Sequence, residues 1–132
     1  MELTREQAIK EHRKMWNWLA EHPEKYKWDY LEIHHEQFGH INSDCFLCEY
    51  SSQNSGYYCD GDCLCDWGET NGCVGLPEKK GLYDLYHSLK NNLDYIDKNS
   101  VWSKDIIKGL RLIISRTARA IAELPENKVG EF

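Results

Sequence analysis

The sequence predicts a mainly α fold, a small helical bundle of about four helices with a loop or hairpin insertion between the second and third. Three observations predict it. Apolar residues recur at helical spacing in both the first and the last third of the 132 residues. The stretch from 40 to 77 shows neither helical nor alternating periodicity and is crowded with Gly, Ser and Asn. That same stretch holds all 6 cysteines. The length suits one domain over 1–132, large enough for a core and small enough for a staple to matter.

The first helix is expected at about 4–22. Thr4 opens it and Gln7 follows three residues later, a capping box in which each side chain satisfies the other's backbone N–H, with Leu3 stapled onto Ala8. Ala8, Ile9, His12, Met15, Trp16 and Leu19 then share one arc. Pro23 closes this helix or opens the next. The second, at about 24–38, uses Tyr26, Tyr30, Ile33, His34 and Phe38, with Gly39 as a left-handed stop. The third, at about 80–98, places Leu82, Leu85, Tyr86, Leu89, Leu93 and Ile96 within an arc of about 100°. The fourth runs from about 103 to 124, with Ile106, Ile107, Leu110, Ile113, Ile114, Thr117, Ile121 and Leu124 on one side. Lys104, Lys108, Arg111 and Arg119 lie opposite, and Pro125 ends the helix.

An insertion this long needs a ligand to order it. Cys45 and Cys48 have the spacing that lets two sulfurs face one ion across a tight turn, and Cys59 and Cys63 form the best second pair. Cys65, Cys73 and His40 are alternates, and two ions remain open. The amino terminus, Met1-Glu-Leu-Thr-Arg-Glu, lacks the basic and apolar regions of an export signal, so thiolates on zinc in a reducing cytoplasm are expected in place of disulfides. Four sulfurs leave zinc no open position for water, which makes the expected ion structural.

The formal charge of −6 is concentrated: between 21 and 75 eleven acidic side chains face only Lys25 and Lys27, a net of −9. Such a surface repels phosphate backbones. It suits a basic groove on a partner protein, and Tyr57, Tyr58 and Trp67 among Asp60, Asp62, Asp66 and Glu69 form the expected docking residues. The competing expectation is a small nucleic-acid-binding regulator that uses the basic face of the fourth helix. No apolar run of about 18 residues suggests a membrane span.

No catalytic site is expected, because there is no Gly-rich phosphate loop, activated serine or carboxylate pair in a suitable context. His34 and His35 with Asn42 resemble His-Asn-His nucleases loosely, but adjacent helical side chains point about 100° apart and the order relative to the cysteines is wrong. His12, inside the apolar arc, reads as a buried, hydrogen-bonded histidine.

Several segments occur as an ordered series: Thr4-Arg-Glu-Gln-Ala-Ile, His12-Arg-Lys-Met-Trp16, Cys45-Phe-Leu-Cys48-Glu-Tyr, Cys63 four residues before Trp67-Gly68, Cys73, Gly81-Leu-Tyr-Asp, and Ala118-Arg-Ala-Ile-Ala-Glu-Leu-Pro125. This series resembles small cysteine-rich zinc-binding proteins of phages and prophages of Firmicutes. The resemblance implies a phage origin and a metal site, and it implies no activity; such an origin, taken with the acidic surface, leads to the expectation of a host protein as partner in the bacterial cytoplasm. At the second cysteine pair those relatives look like Cys-x-x-Cys-Pro-x-x-Trp, whereas this chain has an extra residue within Asp60-Gly-Asp62, and Leu64 in place of the proline.

Overall fold

The computed structural model describes residues 2–38, 45–55, 63–67, 73, 81–99 and 104–126. Among them the fold is mainly helical: α1 (Arg5–Glu21), α2 (Lys27–Ile33), α3 (His35–Phe38), α4 (Phe46–Ser55), α5 (Leu82–Asn99) and α6 (Lys104–Ala122). The described residues contain no strand, and the one isolated β-bridge joins Cys65 to Glu126. No helix among them is long and apolar enough to cross a membrane.

The capping box forms as read, with Thr4 Oγ1 accepting from Gln7 N at 3.1 Å and Gln7 Oε1 accepting from Thr4 N at 2.9 Å. Helix α1 buries Ala8, Ile9, Met15, Trp16 and Leu19, and ends at His22, whose ring nitrogen bonds the Trp18 carbonyl at 2.8 Å. Helix α6 lies against both α1 and α5, while α4 covers another side of α1. Its buried residues, Ile114, Thr117, Ala118, Ile121 and Ala122, all come from the second half of the helix. The small Ala118 and Ala122 there suit a close helix contact.

Two expectations need correction. The second helix begins only at Lys27 and is interrupted at His34, whose ψ of 17° breaks the helical run before the short α3. Ile33, expected in the core, is 65% exposed, because Tyr30 and Phe38 supply the buried face there. The insertion is not irregular throughout either: α4 lies within it and, with the split of the second helix into α2 and α3, brings the helices among the described residues to six in place of about four. It forms because Phe46 and Leu47 are driven into the core, at 1% and 0% exposure, by packing that a weak local pattern does not announce. His40, Tyr57, Tyr58, Cys59, Asp60, Asp62 and Glu69 lie outside the described residues.

Buried lysines fix the helices laterally. Lys90 on α5 donates to the carbonyls of Pro23 at 2.6 Å and Lys25 at 2.8 Å, with its ammonium 4.2 Å from the Tyr26 ring. Lys27 donates to the Tyr83 hydroxyl and lies 4.5 Å from that ring and 5.9 Å from the Trp16 ring. Each therefore trades water for carbonyl, hydroxyl and π partners across the join between the α1–α2 turn and α5.

Candidate metal centre

Cys45 immediately precedes α4 and its sulfur accepts from Cys48 N at 3.5 Å, the position a capping side chain takes. The expected tight turn between these cysteines is thus the first turn of a helix. Its aligned N–H groups favour negative charge on sulfur. Leu3 N donates to Gln53 Oε1 at 2.8 Å, and Gln53 Nε2 to Glu49 Oε1 at 3.3 Å, so α4 is also tied to the start of the chain.

Cys63 arrives on a short segment clasped to the chain beyond α6. Asp66 N donates to the Pro125 carbonyl at 2.9 Å, and the bridge at Cys65 and Glu126 lies beside it. Trp67 returns its indole N–H to Cys63 Sγ at 3.2 Å, and its ring meets His12 at 6.3 Å and Tyr83 at 6.2 Å, both edge-on. Trp67 is consequently half-buried against the bundle, while Asp66 is exposed.

Cys45 and Cys73 each feel the sulfurs of Cys48 and Cys63. Hydrogen bonding to Cys48, then burial and the nearby Cys48 and Cys63 sulfurs, push the Cys45 thiol well up from its ordinary range. Burial, then Cys48 and Cys63, push Cys73 up to about 11, against the opposing pull of the Lys27 ammonium. Burial first, then Cys63, pushes Cys65 up to about 12, but its other charged neighbours are Arg13 in the middle of α1, Arg5 at its start and Glu126 beyond α6. Cys65 therefore shares its surroundings with the chain-end clasp more than with α4. Cys45, Cys48, Cys63, Cys65 and Cys73 are all thiols.

Among the described residues no three His, Cys, Asp or Glu side chains converge closely enough to hold an ion as they stand. The pair Cys45 and Cys48 is formed, and Cys63 and Cys73 are within electrostatic reach of it. Nothing in the spacing singled out Cys73. The Cys63–Trp67 bond had a sequence signal, the four-residue interval between them, but not one that specified an N–H···S contact. No protein-family model, curated protein or solved structure matches the chain.

Proposed function

We propose that the chain is a non-enzymatic binding protein of phage or prophage origin, with its cysteine segment ordered by one structural zinc ion. The observation that carries this reading is the formed Cys45–Cys48 pair at the start of α4, with Cys63 and Cys73 near it. Buried thiols crowded together resist ionisation alone, and a divalent cation reverses that by coordinating thiolates. Cys45, Cys48 and Cys63 would hold the ion, with Cys73 or Cys59 as the fourth ligand. The Cys48 and Trp67 N–H groups are the outer hydrogen bonds that thiolate ligands characteristically take. A tetrathiolate centre would carry about −2, and the buried Lys27 beside Cys73 would offset part of it.

The acidic middle of the chain, including the exposed Asp66, then serves as a docking surface for a basic groove on a host protein. A host or defence nucleic-acid enzyme has such a groove, and occupying it would inhibit the enzyme in the bacterial cytoplasm. The alternative is a nucleic-acid-binding regulator, favoured by one observation: Lys104, Lys108, Arg111 and Arg119 are all exposed along α6.

Metal analysis should find one zinc per chain, and Cys48→Ala should lose it together with the order of the cysteine segment. A mutant that keeps both sinks the metal assignment. Capture from bacterial lysate should yield a host protein whose binding weakens with salt and survives nuclease treatment. Tight, salt-dependent DNA binding in a shift assay would instead select the regulator.

A further inference from the structure

Cys45 and Cys48 are placed for more than metal binding. Cys45 stands immediately before α4 and Cys48 in its first turn, with Cys48 N 3.5 Å from Cys45 Sγ and a further hydrogen bond between the two side chains. Residues three apart on a helical turn have Cα atoms about 5 Å apart, within the roughly 4–7 Å that a disulfide spans. The two sulfurs can therefore be joined without unwinding α4.

The other described cysteines are placed differently. Cys63 and Cys65 are buried, at 2% and 1% exposure, and Cys63 takes the Trp67 indole N–H. Cys45 and Cys48 are half-buried, within reach of a small oxidant. Cys73 is half-buried too and feels the Cys48 sulfur, which makes it the rival partner. The local pair is favoured over it, because its sulfurs are already in contact and its loop is far shorter.

Joining them needs an oxidant, and a low-molecular-weight disulfide supplies one. One of the two sulfurs, as thiolate, attacks it, forming a mixed disulfide and releasing one small thiol. The other then attacks the protein sulfur of that mixed disulfide, its S–S bond breaks, and a second small thiol leaves. Two electrons pass from the protein to the small disulfide, and the two protons of the protein thiols end on the two released thiols. The joined sulfurs carry no thiolate charge, and the thiolate is the form that binds metal. An ion held by Cys45, Cys48 and two further ligands would lose half of them in that step.

We propose that Cys45 and Cys48 form a reversible dithiol–disulfide couple, oxidised by low-molecular-weight disulfides, that expels the ion from the cysteine segments when it closes. The expulsion rests on the zinc reading above, whereas the couple stands on the geometry at the start of α4. A reducing compartment keeps the pair open, and a shift of its thiol pool toward disulfide closes it.

Equilibrating the purified full chain with graded ratios of oxidised to reduced glutathione tests it, on the protein as isolated and after chelation. Thiol alkylation with peptide mapping by mass spectrometry locates the first bond, and metal analysis after gel filtration reads the retained zinc. Two thiols per chain should disappear together, the cross-linked peptide should join Cys45 to Cys48, and one zinc ion should leave in the same transition. Excess reduced glutathione should reopen the bond. The chelated protein should close it at a ratio about tenfold or more less oxidising, because bound metal stabilises the open form by mass action. Cys48→Ser should stop at a mixed disulfide on Cys45, and Cys73→Ser should still form the bond. A first bond from Cys48 to Cys63 or Cys73 overturns the couple, and a Cys45–Cys48 bond that forms while zinc stays bound overturns the expulsion. Protein without zinc that closes the bond supports the couple and sinks the zinc reading. Protein that keeps its zinc and stays open even in oxidised glutathione alone sinks the couple and leaves the zinc reading standing.

Discussion

His12 shows how one side chain sets a pH limit on the fold. It is 1% exposed, its ring lies 6.4 Å from Trp16 and 6.3 Å from Trp67, and neither ring nitrogen makes a well-aligned hydrogen bond among the described residues. The expectation of burial holds, and the expected hydrogen bond is reduced to the pull of the Ile121 backbone, which does not reach full hydrogen-bond geometry with the ring. Burial pushes its pKa down from 6.5 to about 4; the Ile121 backbone opposes this, and Arg13 and Lys27 add to it. The unfolded chain therefore binds this proton first as pH falls. Above about 6.5 the neutral ring adds no penalty, and between there and about 4 the folded state loses up to about 3 kcal/mol relative to the unfolded one. Urea unfolding near neutral pH and near pH 4 should show that loss in the wild type but not in His12→Leu. Equal losses in the two proteins would assign the acid sensitivity to other groups.

Helix junctions are held by polar contacts that differ in how visible they are beforehand. The α1 cap is one, and Thr4→Ala should cost about 1 kcal/mol by leaving the Gln7 N–H without its acceptor. Lys90 is the stronger case. Lys90→Met removes the donor from the Pro23 and Lys25 carbonyls and should cost about 2–3 kcal/mol, read from the urea midpoint at unchanged slope. Thr4 and Gln7 declare their contact by spacing alone, whereas nothing local marks Lys90, because the carbonyls it reaches are more than sixty residues away. The same divide runs through the helices. The long apolar series of α1, α5 and α6 was legible from period, since each spans several turns. Helix α4 was not. Phe46 and Leu47 are adjacent, give no recurring face within ten residues, and sit among cysteines and turn formers. What makes them helical is burial against α1, a tertiary fact.

At the scale of the molecule, the metal-ligand candidates and the helices share one core. Helices α1, α5 and α6 bury Ile9, Met15, Trp16, Leu19, Leu93, Ile114 and Ile121 in one cluster, and α6 touches both of the other two. The cysteine segments contribute to that same cluster, through Phe46 and Leu47 of α4 on one side of α1 and through Cys63, Leu64 and Cys65 beside the clasp at Pro125. The cysteines were legible as one stretch of the sequence without helical period, but not as members of the core. Nor were their partners, since Cys73 meets Cys48 and Cys63 only through the fold. If zinc orders the cysteine segments, chelation should release them first. Amides of α4 should then exchange with solvent rapidly while those of the second half of α6 stay protected, because Ala118 and Ile121 remain sealed at 0% exposure by α1. Helical signal should fall by little more than the ten residues of α4. Hydrogen exchange followed by mass spectrometry, with and without a chelator, reads both quantities. Uniform loss of protection across α1, α5 and α6 would mean that the ion supports the whole core. Unchanged protection in α4 would mean that its packing on α1 holds it without any ion.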